Sequence, residues 1–482
     1  MAKVLKPQTT NKKIISTMKT KLIVLALLAP VMMHAQVFDS STKATTATTK
    51  YGKVAGYIEN GVYTYKGMPY GKAKRFMPAE EPDRWDGIRS SRHWGPVCPQ
   101  SVNTGWRRDA NAFFYQWNDG YQDEDCLRLN VWTKGLNDGK KRPVLFWLHG
   151  GGYSSGNGQE HPGYDGRNLA DKGDVVVVTI NHRLNVLGYL DLSSFGPKYK
   201  GSANVGMTDI VAALRWVKEN IAYFGGDPDC VTIFGQSGGG GKVSTLMCMP
   251  SAKGLFHRAM VMSGSGSGST PSSRASKVGE RLAELLGLNQ QTIDSIQTIP
   301  YETLLKTANQ AVREVAQNGG GRVGWGPVND GDIMPGVWEN GTEKISNDIP
   351  LLVGSTLNEF STPNIDTRVR QAVIRQATTR VKDGGAPVYV YLSGFQTTTL
   401  DGSNHACHNS DIPFFFNNVL KSANMTGASK EALALGDLMS SALINFARTG
   451  NPNAKGLPKW EPFNPETENT MYFDAKCRIT KK

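Results

Sequence analysis

The run Phe234-Gly235-Gln236-Ser237-Gly238-Gly239 sets one serine between two glycines, each two positions away. This is the G-x-S-x-G spacing of a nucleophile elbow, a sharp and strained turn from a strand into a helix. A side chain at Gly235 or Gly239 would collide with the neighbouring strand or helix. The turn would push the Ser237 hydroxyl to the start of a helix, where free N–H groups and the positive helix end favour developing negative charge. The chemistry such a serine can do is nucleophilic attack on an acyl carbon. Buried VTIF before the turn and a helical stretch after it supply the required context. The overlapping run Gly238–Lys242, GGGGK, resembles a phosphate loop, but Gln236 and Val243 stand where that pattern needs glycine and Ser or Thr.

A second glycine cluster, His149-Gly150-Gly151-Gly152-Tyr153, follows the apolar run VLFWL. Bare backbone amides there could form an oxyanion hole, with Gly151 and Gly152 converging with Gly238 on the acyl oxygen. Donors of this kind contribute about 3–4 kcal/mol each to the transition state. His149 precedes the nucleophile and reads as structural. A serine hydroxyl also needs a base, and the base an orienting acid. In the chain order Ser, acid, His, only His257, His405 and His408 follow Ser237. His257, in LFHRAM just before a strand, suits a core or helix-end role. His405 and His408 share the loop segment Asn404–Pro413, and spacing does not choose between them. For the acid, Glu359 lies five residues after Gly354, at the end of an LLVG strand and so on the rim where sites of such sheets form. Asp330, Asp332 and Asp411 compete with it.

The elements that must position these residues show in the periodicity. Asn60-Gly61 between KVAGYIE and GVYTYKG predicts a hairpin. Leu127–Trp132 alternates, whereas Val144–Leu148, Val175–Ile180 and Val231–Phe234 are continuously apolar, as strands buried on both faces are. Arg258–Met262, Leu351–Gly354 and Pro387–Leu392 continue the series. Helical spacing marks Val211–Phe224 and residues 275–287, 300–316, 365–382 and 428–448. Strand alternating with helix predicts a mostly parallel, doubly wound sheet in one catalytic domain over 51–482.

The 482 residues carry a formal charge of +12, but the first 35 hold six lysines and no acid. Without them the balance is 48 basic to 42 acidic, with no dense basic run, which argues against nucleic-acid binding. Lys19 and Lys21 before LIVLALLAPVMM, with Ala35 beyond, predict a signal peptide over 1–35, cleavage near Ala35, and a secreted or periplasmic protein. The apolar run is too short for stable membrane insertion. Thr/Ser/Ala-rich residues 36–50 read as a flexible lead-in. None of the six cysteines forms a C-x-x-C pair, and no zinc spacing is present.

Together these residues resemble the type-B carboxylesterase and cholinesterase family, across roughly residues 50–475. The markers are YKGMPYGKAKRF, WGPVCPQ, EDCLRLNVW, HGGGY, NHRLNVLGYL, ALRWVKENIAYFGGDPDCVTIFGQSGG, GLFHRAMVMSG and HNSDIPFFF. The resemblance implies an α/β-hydrolase fold: a mostly parallel central sheet flanked by helices, with a small N-terminal antiparallel hairpin region. It implies hydrolysis of a small-molecule ester with no metal or cofactor. It selects His408, ahead of Asp411-Ile412-Pro413-Phe414, as the base, and matches Glu359 to the family acid. It also implies a Cys98–Cys126 disulfide, worth roughly 3 kcal/mol, and a supporting Ser263 beside the acid. This elbow departs from the common GESAG in having Gln236 and Gly238, which removes a charge beside the nucleophile. The separation of Glu359 from His408 is short, which bears on how open the pocket is. Non-catalytic adhesion or binding members exist in this superfamily, but all three triad residues remain here. Amidase or lactonase chemistry would use the same machinery.

Overall fold

Asn60 and Gly61 make the first turn, both with left-handed φ (52° and 76°), as a two-residue hairpin loop requires. They join β2 (Tyr57–Glu59) to β3 (Val62–Pro69), with Glu59 opposite Val62. The computed structural model describes residues 38–101, 113–115, 118–266, 269–320, 323–360, 364, 367–397, 399–402 and 405–482. The expected signal segment and its Ala35 cleavage site lie outside these residues. The segment read as a flexible lead-in carries regular structure from residue 38. Phe38–Asp39 (β1) pairs with β2, a four-residue helix at Thr42–Thr45 is capped by Ser41, and Thr46–Thr48 pairs with Lys53–Ala55. Its small polar residues satisfy their own backbone: Ser41 Oγ accepts from Ala44 N, and Thr45 Oγ1 donates to Ser41 O at 2.8 Å.

The remaining strands of the central sheet are β4 (Arg128–Thr133), β5 (Arg142–Leu148), β6 (Val176–Ile180), β7 (Gly226–Gln236), β8 (Arg258–Met262), β9 (Leu351–Thr356), β10 (Val388–Ser393), β11 (Thr470–Phe473) and β12 (Arg478–Thr480). Their order is β1-β2-β3-β4-β6-β5-β7-β8-β9-β10-β11-β12. From β6 to β11 all neighbours run parallel, and the antiparallel pairs are confined to the two ends. The Cβ alternation along β5 explains its unbroken apolar sequence. Val144, Phe146 and Leu148 enter one core with Ile210, Leu214 and Val217 of α1 (Val205–Asn220). Leu145 and Trp147 enter the other, with Met439, Leu443 and Phe446 of α6 (Lys430–Thr449). Both faces are therefore dry.

Helices α2 (Gly238–Leu246) and α5 (Thr367–Lys382) pack on the same side of the sheet as α1, while α3 (Ser272–Leu285) and α4 (Tyr301–Val315) pack on each other. Strand β7 starts five residues before its apolar run, because Gly226 pairs with Arg142 across a register shift that residues 227–230 (DPDC) occupy. This geometry leaves the carboxyl ends of β5, β7, β8 and β9 side by side.

Candidate active site

Ser237 occupies the turn between β7 and α2 with φ 57° and ψ −123°, a conformation that costs a non-glycine residue roughly 1–3 kcal/mol. The surrounding glycines show why the turn survives. A Cβ on Gly235 would lie 2.6 Å from Gly239 backbone and 2.7 Å from Leu148 O; one on Gly239 would lie 2.0 Å from Leu148 O. The helix start thus rests directly against the end of β5. Ser237 N donates to Met262 O at 2.8 Å, tying the elbow to the end of β8, and Gly241 N donates to Ser237 O at 2.9 Å.

The Gly150–Gly152 turn leaves β5 beside the elbow. Gly151 and Gly152 have φ of 87° and 58°, and a Cβ on Gly238 would come within 2.6 Å of Gly152 N. The turn is closed by Ser154 N and Ser155 N, which donate to Gly151 O at 3.1 and 3.2 Å. Among the described residues, no backbone carbonyl outside the regular elements accepts from Gly151 N or Gly152 N. The amides of both loops are near one another and uncommitted.

Glu359 and His408 come from adjacent crossings at the ends of β9 and β10. Residues Glu359 and Cys407 form a parallel bridge, and His408 N donates to Glu359 O at 3.2 Å. His408 Nδ1 is hydrogen-bonded to Glu359 Oε2. The other carboxylate oxygen accepts from Ser263 Oγ at 2.6 Å and Thr356 N at 2.8 Å. Three donors therefore fix a carboxylate that is only 2% exposed, which satisfies its charge without water. The imidazole is anchored from behind by sequence that follows it. Phe415 and Phe416 are fully buried; Phe416 meets Trp147 edge-on at 5.0 Å, and Phe415 meets Tyr391 at 5.2 Å. Each such ring contributes about 1.5–3 kcal/mol by burial, and Tyr115 Oη donates to His408 O at 2.6 Å.

Ser237 and His408 line one cavity of about 210 Å³ together with Gly150, Gly151, Gly152, Glu160, Gln236 and Phe360. No direct hydrogen bond joins the serine hydroxyl to the imidazole; such bonds are often long before substrate binds and tighten in the complex. The Gln236 side-chain amide lies 3.1 Å from Nε2 and 3.3 Å from Nδ1 of His408. Near-equal distances to both nitrogens set that amide over the ring face. Phe360 packs against the imidazole at a tilt of 37° with centroids 4.1 Å apart and is itself 63% exposed, so the cavity wall is thin there.

The sequence model of the Carboxylesterase family matches residues 43–374 and 366–482, almost the whole described chain. The chain belongs to the carboxylesterase family. The para-nitrobenzyl esterase of Bacillus subtilis is 34% identical over 480 residues, covering 90% of this chain and 95% of that one. The phenmedipham hydrolase of Pseudarthrobacter oxydans is 30% identical over 475 residues, covering 87% and 93%. The solved structure of a Clostridium hathewayi esterase, described as able to hydrolyze aliphatic aromatic polyesters, superposes with a TM-score of 0.85 at 36% identity, covering 93% of this chain and 97% of that one. The α/β-hydrolase architecture and carboxylic-ester hydrolysis follow for this carboxylesterase. The two family-matched spans overlap at residues 366–374, between Glu359 and His408.

The structure also separates the competing candidates. His405 is half-buried and outside the cavity lining; its carbonyl accepts from Cys407 N at 2.5 Å. His257 clasps β7, its N donating to Val231 O at 2.8 Å and its Nδ1 accepting from Val231 N at 3.2 Å. Asp330 accepts from Asp332 N, Met334 N and Asn204 Nδ2, and Asp332 pairs with Lys200 at 2.9 Å. Asp411 is buried, with Tyr391 Oη donating to it at 2.8 Å, and burial pushes its carboxyl up to about 7. The expected Cys98–Cys126 disulfide is not formed. Both are buried free cysteines that meet through a hydrogen bond rather than at bonding distance, and that contact with burial holds the Cys126 thiol well above its usual range.

Three buried polar groups at the site escaped the sequence reading. Gln236 was visible only as a departure. Glu160, 4% exposed and lining the cavity, receives a 3.2 Å hydrogen bond from Tyr164 Oη, and burial pushes its carboxyl up to about 8. Lys242, fully buried on α2, was noticed only for failing a phosphate-loop pattern. For Lys242 the signal is a lone charge inside the glycine-rich start of a buried helix, since burial of such a group demands partners; the polar surroundings of Glu160 in the sequence carry no such signal.

Proposed function

We propose that this carboxylesterase works through an acyl-enzyme on Ser237, with His408 as general base and Glu359 as the orienting acid. Ser237 Oγ attacks the ester carbonyl carbon while its proton passes to His408 Nε2. The developing oxyanion is received by the amides of Gly151, Gly152 and Gly238. Collapse breaks the C–O bond, and His408 returns the proton to the departing alcohol. Water, deprotonated by His408, then attacks the acyl carbon and releases the carboxylic acid and Ser237. Glu359 keeps Nδ1 protonated and balances the imidazolium, and Ser263 holds the carboxylate in place. The carrying observation is that a carboxylate-bound imidazole and the elbow serine share one cavity with the glycine amides. Small-molecule esters are the substrate class, and the proposal extends to a secreted or periplasmic enzyme after loss of residues 1–35.

The test is covalent labelling by an organophosphonate with mass mapping, alongside turnover of a chromogenic short-acyl ester. The label should map to Ser237, and Ser237→Ala should lose about 10⁴–10⁶ in kcat. Label on another residue, or undiminished turnover by the variant, would overturn the assignment.

A further inference from the structure

Lys242 has no exposed surface, and it lies one and a half turns along the helix that begins at the nucleophile. Its Nζ donates to His149 O at 2.9 Å. That carbonyl is the last before the Gly150–Gly152 turn. The ammonium also sits 5.5 Å from the centre of the ring of Tyr153, the residue that follows Gly152. The lysine thus spans from α2 to both ends of the glycine loop, joining the two segments whose amides face the cavity.

Three successive glycines have many backbone conformations open to them, so a loop built of them needs external restraint. Here the restraints include the two closing bonds to Gly151 O, the hydroxyls of Ser154 and Ser155 donating to Gly152 O at 3.4 Å and Gly151 O at 3.5 Å, Asn185 N donating to Tyr153 O at 2.9 Å, the His149 Nδ1 contact with Gly150 O at 3.0 Å, and Lys242. Of these only Lys242 comes from the helix that carries the Gly238 amide. A cation on a peptide carbonyl polarises that peptide, and in a dry site the effect is weakly screened. The groups facing Lys242 are Glu160, whose negative form opposes the loss of its charge, and the two buried imidazoles His149 and His182. Those rings stack 5.1 Å apart, and burial with the neighbouring ammonium holds both well below the usual histidine range.

We propose that Lys242 is a positioning residue of the oxyanion hole, its buried ammonium locking the His149–Tyr153 loop to the nucleophile helix and supplying positive charge behind the amides that receive the oxyanion. This rests on the ester-hydrolase reading, and it gives the lysine of the GGGGK run a role in acyl transfer. The charge is present below the lysine's own titration and lost above it. Burial brings that titration down to about 7, so kcat should fall on the alkaline side.

The experiment compares wild type, Lys242→Met and Lys242→Gln in the full chain, using a chromogenic short-acyl ester across pH 6–10. Phosphonate labelling of wild-type Ser237 is run first: failure there removes the ester-hydrolase reading on which this one rests, whereas failure of the variants with labelling intact removes this one alone. With labelling intact, Lys242→Met should lower kcat about 10–100-fold with KM within about threefold, because the missing interaction acts in the transition state. The wild-type alkaline descent should be absent from both variants. Lys242→Gln keeps one donor for the His149 carbonyl without the charge, and it decides the matter should the methionine variant fail to fold. A folded variant with kcat within threefold of wild type and an unchanged pH profile overturns the proposal.

Discussion

Gly239→Ala sets two effects of opposite sign against each other. Gly239 is helical and has no left-handed φ, so helix propensity alone predicts a gain of about 1 kcal/mol from alanine. The new Cβ, however, would lie 2.0 Å from Leu148 O and 2.8 Å from His149 O, where ordinary contact begins near 3.4 Å. About 1.4 Å must be found between two backbone segments, and neither is the far end of a flexible side chain. Overpacking of this sort costs typically 1–3 kcal/mol, which cancels or exceeds the propensity gain. The displacement also separates the Gly238 amide on the helix from the Gly151 and Gly152 amides on the loop. A misplacement of about 1 Å costs on the order of 10²-fold in rate, equivalent to about 2.7 kcal/mol of barrier. The expected outcome is therefore a kcat lower by about 100-fold and a melting temperature that is not raised. Ester turnover and thermal unfolding measure both. Gly266→Ala is the control, since its Cβ meets nothing within 4 Å and its φ is ordinary. Near-normal kcat with a raised melting temperature in Gly239→Ala would show that the elbow is not sterically locked and refute the reasoning.

Two further outcomes follow from the carboxyl groups of the site. Glu359→Gln should lower kcat about 10⁴-fold while Ser263 Oγ and Thr356 N still find an oxygen acceptor, so unfolding should barely shift; retention of more than a tenth of the activity contradicts the orienting role. Asp411 is raised to about 7 by burial from an ordinary 3.8. Its folded form therefore keeps a proton that the unfolded chain has lost. The stability it contributes is full below pH 4 and declines as pH rises toward 7. Asp411→Asn removes that decline, so its stability relative to wild type should grow by about 3 kcal/mol from pH 4 to 7. Urea unfolding at four pH values reads this directly, and parallel curves for the two proteins would exclude it.

Sequence alone settled the features that depend on contacts between near neighbours. The elbow glycines, the His149–Gly152 cluster and the Asn60-Gly61 hairpin are legible because each demands backbone room or a left-handed φ that few residues supply. The parallel sheet was legible because β5, β6 and β7 are buried on both faces and leave no polar alternation. Spacing could not choose between His405 and His408, since both occupy one loop; the choice came from family resemblance, and the tertiary structure gives its physical basis. Only the imidazole of His408 meets the end of β9, where the Glu359–Cys407 bridge sets the register. The three acids that competed with Glu359 were likewise separated by their buried or ion-paired partners. Most of what sequence missed lies where distant segments meet: Gln236 over the imidazole of His408, Glu160 in the cavity wall, and Lys242 reaching His149 across 93 positions. A buried charge is stable only with partners that no local pattern encodes, so its position becomes intelligible once the sheet order has brought those partners together.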